Sequence, residues 1–79
     1  MEVTVYTIIT YEFGFPEIIM STESDKDAVS CAKRAIESQD IPYDDRYWHL
    51  RAPHQIVYEH PDFWEFRVTI FHADVPYAE

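Results

Sequence analysis

Phe63-Trp64-Glu65-Phe66-Arg67-Val68-Thr69-Ile70-Phe71 decides the fold of this chain. In an extended backbone successive side chains point to opposite sides, so Trp64, Phe66, Val68 and Ile70 share one face and Phe63, Glu65, Arg67, Thr69 and Phe71 the other. One face is wholly apolar and the other mixed, the pattern of a strand that covers a core on one side only.

Working outward, His60-Pro61-Asp62 is a turn and Gln55 to Glu59 a short extended piece. Arg46 to Ala52 alternates Tyr47, His49, Arg51 against Trp48, Leu50, Ala52, which predicts a third strand ended by Pro53 or split around it. At the other end of the chain, Val3 to Phe13 is β-branched or aromatic almost throughout, and its odd positions Val3, Val5, Thr7, Ile9, Tyr11 and Phe13 against Thr4, Tyr6, Ile8, Thr10 and Glu12 predict a strand with one clearly apolar face. Phe13-Gly14-Phe15-Pro16 breaks it, because Gly permits positive φ and Pro lacks a backbone donor. Glu17 to Thr22 returns antiparallel, so the first quarter is a hairpin.

Between these strands lies one helix. Ser24 can cap it, Asp25 and Asp27 suit the positive end of its dipole, and Pro42 lies beyond its end. Ala28, Val29, Cys31, Ala32, Ala35 and Ile36 recur at helical spacing and form a small-residue stripe that can lie close on a sheet. The expected architecture is α+β: an antiparallel four-stranded sheet, β-β-α-β-β, with one helix on one face and a single domain over residues 1–79. The uncovered face is expected to leave Tyr6, Ile8, Ile19, Phe63 and Phe71 partly open.

Composition limits the functions this fold can serve. Fifteen acidic residues against six basic ones leave a formal charge of −9 on 79 residues, and no cation precedes Lys26. Such a chain repels nucleic acid and anionic membranes, whose phosphates are bound by Lys and Arg. It lacks an apolar run long enough to span a bilayer, and residues 1–10 lack the basic region of a secretory signal. A lone Cys31 cannot form an internal disulfide. The expectation is a soluble cytoplasmic protein.

The residues of catalysis are present without their patterns. His49, His54, His60 and His72 have no metal-ligand spacing and read as loop and edge histidines facing water. Cys31 sits on the apolar stripe and reads as a small buried hydrophobe. No nucleophile elbow accompanies the serines, and one glycine cannot build a phosphate-cradling loop. The expectation is a non-enzymatic protein with no metal and no cofactor.

The acids are unevenly spread. Glu12 and Glu17 flank the hairpin turn, Glu23, Asp25 and Asp27 crowd the helix entry, and Asp44 and Asp45 lie in the loop after the helix. Carboxylates two residues apart on a strand stand about 6.7 Å apart, close to the scale of successive backbone phosphates. The expectation is one acidic rim that imitates nucleic acid, with Tyr43, Tyr47 and Phe63 as exposed aromatic anchors.

An acidic chain of this size, with a strand pair, one helix introduced by Ser24-x-x-Asp27-Ala28 and an aromatic final strand, resembles the small early proteins of bacteriophages that inhibit host machinery, anti-CRISPR proteins and DNA mimics among them. The resemblance implies a partner protein with a basic, nucleic-acid-binding surface and a site of action in the host cytoplasm. The alternative is a sheet-mediated homodimeric assembly module whose charge serves solubility.

Overall fold

The computed structural model describes residues 2–76, which form six regular elements and one short 3-10 turn. These are β1 (Glu2–Glu12), β2 (Phe15–Thr22), α1 (Asp25–Glu37), the 3-10 turn (Asp45–Tyr47), β3 (Trp48–Ala52), β4 (Gln55–Glu59) and β5 (Phe66–Pro76). The sheet is antiparallel with order β2-β1-β5-β4-β3. It has five strands, which corrects the four-stranded expectation.

The fifth strand is the piece from Gln55 to Glu59. Pro53 does not end the sheet there but occupies, with His54, a two-residue connection between Ala52 and Gln55, which pair. Ile56-Val57-Tyr58 gives no alternation because β4 lies between β3 and β5 with Val57 and Tyr58 buried on opposite faces. A continuous apolar run is what an interior strand looks like. The last strand is also displaced from the expected 63–71. Tight turns donate Phe63 N–H to the His60 carbonyl (3.1 Å) and Phe66 N–H to the Phe63 carbonyl (3.2 Å), so the strand starts at Phe66.

Helix α1 begins where Ser24 Oγ accepts from the Asp27 N–H at 3.2 Å. It ends through Ser38, whose N–H reaches the Arg34 carbonyl at 2.9 Å, and Asp40 at φ 59°. With no asparagine in the chain, aspartate takes this left-handed position. Ala28, Ala32 and Ile36, four residues apart, bury against Ile8, Val68, Ile70 and Phe66. Two alanines at this contact let the helix approach the sheet closely. Val29 stands on the flank and is exposed, and Cys31 is half-buried rather than buried.

The helix covers the face carrying Tyr6, Ile8, Ile70 and His72. Ile8 is therefore fully buried and Tyr6 half-buried under α1, not open on the far face. The odd-numbered face of β1, which alternation marks as the apolar one, is instead the side the helix leaves uncovered, because Tyr6 and Ile8 make the even-numbered face apolar as well. The open face carries Val5, Ile9, Val57, Thr69 and Phe71, opposite in phase to these residues. Among the described residues no helix is long and apolar enough to cross a membrane.

Candidate functional site

β1 and β5 pair along their whole lengths, eleven residues each, and make the molecule 45 Å long. One end of this ladder carries the most exposed aromatic side chains. Glu12 pairs with Phe15, leaving Phe13 and Gly14 as a two-residue turn with φ of 52° and 85°. Positive φ at both central residues is the type I′ condition that matches the twist of a hairpin, normally met by Asn-Gly. Phenylalanine in that region is strained by about 1–3 kcal/mol.

That strain holds an aromatic ring in water. Phe13 is 64% exposed and meets Trp64, itself 79% exposed, edge to face at 6.2 Å, while Phe15 is 78% exposed. The Phe13 N–H donates to the Glu65 carbonyl at 2.7 Å, fastening the hairpin tip to the turn before β5. Beneath them the Arg67 guanidinium lies over the Tyr11 ring at 4.8 Å. Glu12 and Glu17 share a concavity of about 480 Å³ with Phe13 and Phe15, and Glu65 shares another of about 520 Å³ with Phe13 and Trp64. The tip is thus three free aromatic rings with carboxylates around them.

The residues expected to form the site fall in three places. Glu12 and Glu17 are at the tip. Glu23, Asp25 and Asp27 are at the helix entry, next to the Tyr6–Thr22 pair, about 20 Å from the tip by the strand rise. Asp44 and Asp45 lie at the 3-10 turn, where Arg46 engages the Asp44 carboxylate through Nε (3.0 Å) and Nη2 (2.7 Å). That hydrogen bonding holds the Asp44 carboxyl below its usual range and raises the Arg46 guanidinium. The acids form separate groups, in one of which Arg46 pairs with Asp44, in place of a single rim.

Tyr43, Tyr47 and Phe63 are not free anchors. They are half-buried around Tyr58, whose ring is stacked on Tyr43 (5.4 Å) and edge-on to Trp48 (5.3 Å) and Tyr47 (6.3 Å). The Tyr58 hydroxyl accepts from the Asp44 N–H at 3.0 Å, and Trp48 Nε1 donates to the Tyr43 hydroxyl at 2.9 Å. Burial raises both the Tyr58 and the Tyr43 phenol above their ordinary values. His60 belongs to the same cluster: it is buried between Tyr47 (4.6 Å) and Phe63 (5.0 Å), and its Nδ1 accepts from the Asp62 N–H. His72 packs against Tyr6 and His54. These two histidines do not face open water as expected.

Sequence reasoning passed over Phe13, Phe15 and Trp64. The signal for Phe13 was present, since a two-residue hairpin turn exposes whatever it contains, and Phe15 stands directly beside it as the first residue of β2. Trp64 was hidden by an alternation that continued three residues beyond the real start of β5. Among the described residues, no group of three or more His, Cys, Asp or Glu side chains could hold a metal ion. No protein-family model, no curated protein and no solved structure matches this chain.

Proposed function

We propose that this protein is a non-enzymatic binding domain whose contact surface is the hairpin tip, and that its partner presents an apolar pocket within a basic, nucleic-acid-binding surface. The observation that carries this reading is Phe13. A strained backbone that keeps an aromatic ring in water works against folding, and such strain is typical of sites selected for contact. Phe15 and Trp64 supply two further rings of the type that anchors interfaces, and Glu12, Glu17 and Glu65 supply charge that steers approach to a cationic surface. Occupying that surface would exclude nucleic acid from it, the action of a phage-type inhibitor.

The test is affinity capture from the native host, with wild type and a Phe15→Ala/Trp64→Ala variant, at low and high salt. Both side chains are largely exposed, so the variant folds. A retained nucleic-acid-binding protein that is lost with the variant, lost at high salt and displaced by added DNA supports the reading. Retention indifferent to all three changes refutes it. The competing reading, a homodimer through the open face, draws on Ile9 and Phe71, which stand there with no second layer over them. A dimer on gel filtration that Phe71→Lys dissolves would favour it.

A further inference from the structure

The opposite end of the ladder is built differently. β2 ends at Thr22, opposite Tyr6, and β4 begins at Gln55, opposite Phe71. Beyond those rows β1 and β5 continue as a ribbon of two strands, Glu2–Val5 paired with Ala73–Pro76, with no further strand on either side among the described residues. In such a ribbon alternate residues of each strand turn both their N–H and C=O outward, unpaired.

The two bare edges are not equivalent. On the β5 side Pro76 lacks a donor, a familiar guard against strand addition, while the Asp74 carboxylate turns inward across the ribbon and accepts from Thr4 Oγ1 at 2.6 Å. On the β1 side Val3-Thr4-Val5 offers strong strand formers with no Pro, Gly or Lys among them. The gap beside it continues the line of β2. Glu23 leaves β2 at the mouth of that gap, whereas Asp25 lines a groove of about 260 Å³ with Tyr6, Ile56 and His72 that runs toward β5 and β4, away from this edge. Asp27 follows in the same helical turn, with Lys26 the one cation between them.

We propose that the Glu2–Val5 edge of β1 is a strand-addition site for an extended basic segment of a partner protein. Backbone pairing supplies the docking, as in other β-augmenting modules. The faces of the sheet set the segment's sequence: residues on the helix side are lysine or arginine, facing Glu2 and Glu23, and alternate residues are apolar, facing Val3 and Val5. This site is independent of the aromatic tip and stands whether or not the tip reading does.

The probe is a capped hexapeptide of alternating valine and lysine, titrated into isotopically labelled full-length protein and followed by amide chemical shifts. The expected result is saturable change at Glu2–Tyr6 and Glu23–Asp27, abolished when alternate peptide amides are N-methylated. Glu2→Lys/Glu23→Lys should weaken binding on the order of fivefold or more, and Glu2→Gln/Glu23→Gln by less. Shifts centred on the tip or the open face would overturn the proposal. So would binding that tolerates N-methylation, the absence of binding, or concentration-dependent shifts of the same edge without peptide, which would make a second copy its occupant.

Discussion

The two ends of the β1–β5 ladder share the same strands and differ in what surrounds them. From Tyr6 to Glu12 the ladder is flanked by β2, and α1 and the aromatic cluster around Tyr58 cover one face of its sheet. From Glu2 to Val5 it has neither flanking strand nor helix over it. Strand pairing is the same in both halves; burial is not. The difference separates what holds the molecule together from what it leaves available. Stability belongs to the covered rows, while the extremities carry strained aromatics at one end and an unpaired backbone edge at the other.

The largest test of this contrast removes Tyr58. Its ring is fully buried among Tyr43, Tyr47 and Trp48, so Tyr58→Ala should cost about 3–5 kcal/mol. That is a large share of the stability of a domain this size, at roughly 0.05–0.15 kcal/mol per residue. Val3→Ala in the ribbon should change stability by only about 0.5 kcal/mol or less. Urea unfolding followed by tryptophan fluorescence measures both, and equal costs would break the contrast. Tyr58→Phe keeps the ring and gives up a hydroxyl hydrogen bond, a loss of about 1 kcal/mol. It should also flatten the alkaline limb of stability. Burial raises the folded phenol above its ordinary value of 10.0, so the stabilisation from holding it protonated is complete below that value and lost as pH rises through the folded one.

A smaller effect is expected at the tip, with the opposite sign. Phe13→Asn places the favoured Asn-Gly pair in the type I′ turn and relieves the left-handed strain. It forfeits the edge contact with Trp64, so the net gain should be about 1 kcal/mol, visible as a higher urea midpoint at unchanged slope. A destabilised variant would mean that the ring is structural, and the argument for a contact residue would fall with it.

Much of the fold was legible because its signals were local. The Ser24 cap, the Ala28-Ala32-Ile36 row and the first hairpin each rest on a few neighbouring residues, and the structure has all three. What was not legible depended on coverage. Ile56-Val57-Tyr58 reads as a scrap until β3 and β5 close on it, and Ile8 reads as open until α1 chooses its face. The candidate site suffered from the same ambiguity: Tyr43, Tyr47 and Phe63 look identical in sequence to Phe13, Phe15 and Trp64. Only packing separates rings that serve the core from rings that stand free.

The smallest expected effect concerns Asp44, which belongs to the loop beside the covered half. Its carboxylate accepts the Arg46 backbone N–H (3.0 Å) as well as the guanidinium, an arrangement that fixes the start of the 3-10 turn. The folded carboxyl is held below its ordinary value of 3.8, so ionisation favours the folded state. Its contribution is therefore present above the unfolded value and disappears as pH falls through the folded one. Arg46 is largely exposed, and water and salt screen the pair, which keeps the contribution small. The Asp44 carboxyl resonance should titrate below its ordinary value of 3.8, and Asp44→Asn should remove a slight acid-side loss of stability while leaving the tip unaltered. If Asp44 titrated at its ordinary value, the Arg46 clasp would be absent in solution. A second free carboxylate would then stand beside the aromatic cluster, and the contrast in unpaired negative charge between the tip and the 3-10 turn would narrow.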